Sequence, residues 1–83
     1  MGKYEKLLQR ILDGKSDANI AFSDLCGLLG RLGFAERVRG SHHMFRKAGI
    51  EEKINLQKDD NKAKIYQVRQ IRNIVLKYNL EVK

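Results

Sequence analysis

The chain has little of several features that define common classes of protein. Its single cysteine, Cys26, excludes an internal disulfide, and from the sequence we expect no cysteine-based zinc site. There is no run of about 18 or more apolar residues, so we expect no membrane span. We also expect no secretory signal, because a charged start followed by an apolar stretch and a small-residue cleavage site does not occur. These absences favour a reducing, intracellular compartment, and we expect the protein in the cytoplasm.

Acidic residues are few relative to basic ones. The 83 residues include 17 Lys and Arg against 10 Asp and Glu, which gives a formal net charge of +7. The length allows one small domain, over residues 1–83, with a single modest core. So high a charge favours a polyanionic partner, most simply nucleic acid. The alternatives are a solubilising surface and, with less support because the basic residues are scattered, a membrane surface.

Apolar residues recur at helical spacing in three segments. Helices are predicted over 3–13, from an N-cap at Ser23 to about residue 32, and over about 64–78. Gly27 and Gly30 lie inside the second helix, where each costs up to ~1 kcal/mol relative to alanine. We therefore expect a neighbouring element to approach that helix closely.

Between the second and third helices the apolar period changes to two, which is typical of strands. Strands are predicted over 34–39, 42–47 and 52–57, and two consecutive hairpins make them a three-stranded antiparallel meander. Such a sheet cannot bury its apolar face alone, so helices must cover that face and leave the other open to water. The sequence thus predicts an α+β fold of order α-α-β-β-β-α, with the open sheet face as a natural binding surface.

The segment Gly40–Arg46, with the sequence Gly-Ser-His-His-Met-Phe-Arg, contains both histidines of the chain directly after a turn signal. Histidine both takes and gives a proton near neutral pH. His42 is therefore a candidate to remove the 2′-OH proton of a ribose, so that the oxygen attacks the adjacent phosphorus. The alternative is a histidine that only hydrogen-bonds the carbonyls of the turn.

Strand alternation separates the two histidines. It puts His42 and Arg46 on one face, and His43 and Phe45 on the other, which looks like the core side. His43 is therefore expected to be a half-buried structural histidine. A bulge at Gly40-Ser41 would exchange the two roles.

Basic residues surround the histidines and the start of the last helix. As a set, we expect those near the histidines to hold phosphates and to stabilise charge in the transition state, although each alone is more simply a solvated charge. Those near the helix start lie where a helix N-terminus attracts anions, with a solvated polar loop as an equal alternative. The first set is Arg37, Arg39, Arg46 and Lys47, and the second is Lys62, Lys64 and Arg69.

The sequence offers two further kinds of candidate site, a reactive cysteine and a metal-binding cluster, and supports neither. Cys26 lies on an apolar helix face with no histidine near it in sequence, so we expect a buried structural thiol. The two histidines and the loop residues Asp59 and Asp60 form no ligand cluster that can be placed together. No metal and no cofactor is predicted.

With these motifs in place, the chain resembles the HicA toxins of bacterial toxin–antitoxin pairs, which are small ribonucleases with a fold like the double-stranded-RNA-binding domain. Three matches carry the resemblance: Leu32-Gly33-Phe34 before a basic strand, the Gly40–Phe45 motif, and the segment Lys62–Ile71 that leads into the last helix. They lie within a core of residues 22–80, and the helix over 3–13 is an addition to the minimal family pattern.

The resemblance implies metal-independent cleavage of messenger RNA that inhibits translation, and neutralisation by a HicB-type antitoxin. Carried onto this chain, it makes His42 the catalytic residue. The residues predicted to contact RNA are Arg37, Arg39, Ser41, His43, Arg46, Lys47, Lys62, Lys64 and Arg69. Two other interpretations compete: a non-catalytic RNA-binding module that recognises A-form shape through backbone contacts, and a protein whose basic face docks an acidic partner.

Overall fold

The computed structural model describes residues 2–58 and 60–82, and its elements follow the predicted order. They are α1 (Lys3–Asp13), a 3₁₀ helix (Asp17–Asn19), α2 (Phe22–Arg31), β1 (Ala35–Arg39), β2 (His42–Arg46), β3 (Ile54–Gln57) and α3 (Ile65–Tyr78). The fold is α+β, with three α-helices and a three-stranded antiparallel sheet in the order α-α-β-β-β-α, which confirms the predicted class. None of the described helices is long and apolar enough to cross a membrane.

The sheet has the strand order β1-β2-β3, so β2 is the central strand. Phe45 on β2 is the cross-strand partner of Ile54, and both are fully buried together with Leu56. On the opposite face, His42 and Asn55 are exposed. The helices therefore cover one face of β2 and β3 and leave the other face open, as the alternation in the sequence predicts. All five residues of β1 are exposed.

A two-residue turn, Gly40-Ser41, fixes the register between β1 and β2. Arg39 and His42 are direct partners on either side of it. Gly40 has φ 58°, the left-handed value that a tight hairpin needs at the first turn position and that glycine adopts without strain. The pairing runs without an extra residue from Ala35 to Arg46, so the alternative of a bulge that exchanges the two histidines is not realised.

Helix α2 ends in a Schellman motif. Gly33 has φ 96°, its N–H donates to the Gly30 carbonyl at 3.1 Å, and the Phe34 N–H donates to the Leu29 carbonyl at 3.0 Å. Gly33 therefore closes the helix as predicted. The same motif uses Phe34, which is why β1 begins one residue later than the predicted 34–39.

The predicted N-cap of α2 is wrong. The helix begins at Phe22 with Ala21 as N-cap, and Ser23 lies inside the first turn. The Phe22 N–H donates at 2.9 Å to the carbonyl of Asn61, and Ala21 forms an isolated bridge with Lys62. A tertiary backbone contact thus satisfies the first N–H of the helix, which has no acceptor within the helix itself. Residues 15–19, predicted as a plain connector, include the 3₁₀ helix.

The predicted close approach to α2 occurs at Gly27 but not at Gly30. A Cβ at Gly27 would overlap the ring of Tyr4 from α1, whereas nothing lies within 4 Å of the corresponding position at Gly30. The Tyr4 ring lies near the cationic ends of Lys3 and Arg31, whose distances to the ring centroid are 5.5 and 5.6 Å. This contact helps to fix α1 on α2.

Candidate functional site

The open side of the sheet forms a surface that we call the basic face. Strand alternation places three arginines and one histidine on it, together with two amides and a methionine that is half-buried. No aspartate or glutamate of the described strands lies on this side, because Glu36 belongs to the other one. Its strand residues are Ala35, Arg37, Arg39, His42, Met44, Arg46, Asn55 and Gln57.

His42 lies on the central strand of the basic face, at its turn end. Its cross-strand partners are Arg39 on β1 and Gln57 on β3, and the side chains of such pairs start about 4.5–5.5 Å apart. Arg37 is the partner of Met44, one step further along the same face. An exposed imidazole thus stands between a guanidinium and an amide, groups that bind and orient a phosphate.

His43 lies on the opposite, helix-covered side of the sheet, as strand alternation predicts. Its Nδ1 is 2.7 Å from a carboxylate oxygen of Glu36, and 20% of its side chain is exposed. The ring of Phe22 meets it edge to face, with the centroids 5.0 Å apart. This histidine is half-buried as predicted, is held by two neighbours, and lies away from the basic face.

A pocket of about 400 Å³ opens beside His43, between the N-terminal half of α2 and the end of β3. Its walls include Phe22, Ser23, Cys26, Lys58 and Asn61. We call it the His43 pocket. It combines an imidazole, a thiol and a hydroxyl at one concave place, and the sequence did not predict it.

Cys26 is half-buried at this pocket, close to two groups that are distant in sequence. Its sulfur, a carboxylate oxygen of Glu36 and a ring nitrogen of His43 all lie within 4.8 Å of one another. Burial, with a smaller contribution from the nearby Glu36 carboxylate, raises the pKa of the Cys26 thiol from 9.0 to about 11. No histidine lies near Cys26 in the sequence. In the folded protein α2 packs against β2, and this places His43 beside the thiol.

The structure brings only part of the predicted RNA-contacting set together. Lys47 is half-buried and donates from Nζ to the Leu32 carbonyl at 2.6 Å, so it stabilises the end of α2 on the covered side. Arg69 lies on the helical layer, where its Nε is 3.7 Å from a carboxylate oxygen of Asp17. Neither shares the basic face with His42.

Of the other predicted residues, Arg37, Arg39 and Arg46 lie on the basic face, and the rest lie in the turn, in the loop beyond β3 and at the start of α3. Ser41 belongs to the turn beside His42, and its carbonyl accepts from the Lys58 N–H at 2.8 Å. Lys62 is exposed in the loop beyond β3, and Lys64 is the N-cap of α3. Asp59, which we considered as a loop acid, lies outside the described residues. The start of this loop is thus held at the turn, whereas Asn61 and Lys62 pair with the N-terminal end of α2 on the helical side.

No family model, curated protein or solved structure was found to match this chain.

Proposed function

We propose that this protein binds RNA on the basic face and cleaves it there without a metal ion, with His42 as the catalytic residue. One observation carries the proposal: an exposed histidine lies on an uncovered sheet face that presents three arginines and no strand carboxylate. A surface of this charge attracts a phosphate backbone, and histidine is the residue type among its strand residues that serves as a general acid or base.

In this mechanism His42 takes the proton of a ribose 2′-OH. The 2′ oxygen attacks the adjacent phosphorus, the bond to the 5′ oxygen breaks, and the leaving oxygen takes a proton from the imidazolium or from water. Arg39 and Arg37 stabilise the negative charge that develops on the phosphoryl oxygens. The products carry a 2′,3′-cyclic phosphate and a 5′-OH. A single general acid–base group contributes about 10²–10⁴-fold, so the enzyme is a modest one.

The resemblance to HicA toxins adds a setting for this activity. We propose that the substrate is messenger RNA in the cytoplasm, that cleavage inhibits translation, and that a HicB-type antitoxin neutralises the protein. The net charge of +7 supports an acidic partner that covers the basic face. Such a partner masks His42 without altering it.

The test is cleavage of a long RNA by the purified chain in excess EDTA. We expect fragments with 2′,3′-cyclic phosphate ends from the wild-type protein, and a loss of about 10²-fold or more in rate for His42→Ala. Added HicB-type antitoxin should suppress the activity. His43→Ala is the matched control, because it removes the neighbouring imidazole from the other side of the sheet.

Three outcomes contradict the proposal in different ways. Unchanged cleavage by His42→Ala removes that residue from the mechanism. Loss of cleavage only in a folded His43→Ala protein moves the chemistry to the His43 pocket. RNA binding without cleavage by any form of the protein indicates the competing function, a non-catalytic RNA-binding module.

A further inference from the structure

We propose that Cys26, Glu36 and His43 form a zinc-binding site at the rim of the His43 pocket. The proposal goes beyond RNA cleavage and does not depend on it, since these residues lie on the covered side of the sheet. Three elements, α2, β1 and β2, each supply one of them. The folded chain therefore assembles a ligand set that is dispersed in the sequence.

The chemistry of the three groups fits Zn²⁺. Thiolate, imidazole and carboxylate are its usual ligands, and the thiolate disfavours Mg²⁺ and Ca²⁺, which prefer oxygen alone. Two anionic ligands and one neutral ligand balance the charge of the ion. Cys26 and His43 also line the His43 pocket, which has room for a water as a fourth ligand, as in zinc sites that have three protein ligands.

The distances between the three ligand atoms are such that small side-chain movements would bring all three within bonding distance of one ion. The three ligand atoms lie within 4.8 Å of one another. Tetrahedral zinc with ordinary bond lengths separates its ligand atoms by about 3.4–3.6 Å. The 2.7 Å contact between His43 Nδ1 and Glu36 would open slightly, and the Cys26 sulfur would approach the ion. Phe22 packs against the His43 ring and limits its rotation.

Binding replaces a proton by a metal ion. The thiol of Cys26 gives up its proton to solvent, the sulfur–zinc bond forms, and no electron is transferred. In the metal-free protein the Glu36 carboxylate is paired with His43.

Cobalt(II) is the probe, because a thiolate ligand gives it a near-ultraviolet charge-transfer band that carboxylate and imidazole do not give. Tag-free full-length protein is stripped of metal, titrated with Co²⁺, and then titrated with Zn²⁺. We expect one equivalent of Co²⁺ to produce the band and one equivalent of Zn²⁺ to remove it. Since Cys26 is the only cysteine of the chain, the band reports on this site alone.

Matched variants decide whether the cluster binds the ion. Cys26→Ser should abolish the band, and His43→Ala should weaken Co²⁺ binding by more than about 100-fold, beyond the 10–100-fold effect that is typical of an outer-shell change. Glu36→Gln keeps the shape of the side chain and should weaken binding at least tenfold. His42→Ala should leave it unchanged, because that imidazole is on the other face. Circular dichroism checks that each variant is folded.

The proposal is overturned if wild-type protein shows no thiolate band at a large excess of Co²⁺. It is also overturned if the band persists in Cys26→Ser, or if His42→Ala weakens binding as much as His43→Ala does. None of these outcomes bears on RNA cleavage in EDTA, so failure of the zinc site and failure of the proposed function are distinguishable.

Discussion

Two adjacent histidines take different environments because strand side chains alternate between the two faces of a sheet. His42 is exposed beside Arg39, whereas His43 pairs with Glu36 and packs on Phe22. The turn at Gly40-Ser41 sets this alternation, since a shift of one residue would exchange the two environments. This one turn thus determines which of the two imidazoles is exposed on the basic face.

The environment of Cys26 predicts how fast its thiol reacts. With a pKa of about 11, the thiol of the metal-free protein is about 10⁻⁴ ionised at pH 7, and the thiolate is the reactive form. Alkylation by iodoacetamide, followed by mass spectrometry, should accelerate about tenfold per pH unit from pH 7 to 10. The urea-unfolded chain is the control, and its rate should level off near pH 9. A folded protein that levels off at the same pH contradicts the buried position of this thiol.

For single residues, the sequence predicts well on which face of the sheet a side chain lies. It predicts poorly which residues from different elements lie close together. Alternation alone places His42 outward and His43 inward, and the structure agrees. The approach of Cys26 to Glu36 and His43 could not be predicted, because it depends on which turn of α2 lies over which step of the sheet. The one available signal was that the apolar face of α2 and the inward side of β2 must meet in the core.

The sequence was most informative about the helices. For α2 it predicts the end of the helix correctly and the start wrongly. The Gly33 end follows from local chemistry, since glycine alone adopts its left-handed backbone freely. The start at Phe22 depends on the hydrogen bond that the Phe22 N–H donates to the loop carbonyl of Asn61, which no local pattern encodes. The additional helix α1 is tied to the core from the other side, where Arg72 Nε donates to the Ile11 carbonyl at 2.7 Å.

Two glycines in α2 give a matched test of how α1 packs. Gly30→Ala should stabilise the protein by up to ~1 kcal/mol, because helix propensity improves and the space is open. Gly27→Ala gains the same propensity but pushes Tyr4 off the helix, and overpacking typically costs about 1–3 kcal/mol. We expect a net loss of about 1 kcal/mol for Gly27→Ala, measured by urea unfolding. Equal stabilisation by both substitutions would show that Tyr4 does not anchor α1.

On the scale of the whole molecule, the helical layer and the basic face differ in how their charges are paired. The helical layer pairs many of its charges, as in Lys77 with Glu52 at 2.9 Å and Lys3 with Asp24 at 2.9 Å. The basic face has no strand carboxylate to pair with. Part of the net charge of +7 is therefore concentrated on the open face of the sheet, and composition alone does not reveal this.

The central claim is that RNA binds this open face, and the salt dependence of binding tests it most directly. With about four phosphate contacts, log affinity for single-stranded RNA should fall against log salt with a slope of roughly −3, at ~0.7 per contact. Arg37→Ala with Arg39→Ala should reduce the slope by about 1.4. Lys6→Ala with Lys15→Ala removes the same charge from exposed positions on and next to α1 and should leave the slope unchanged. Equal effects of the two double variants, or binding that does not vary with salt, would contradict the claim.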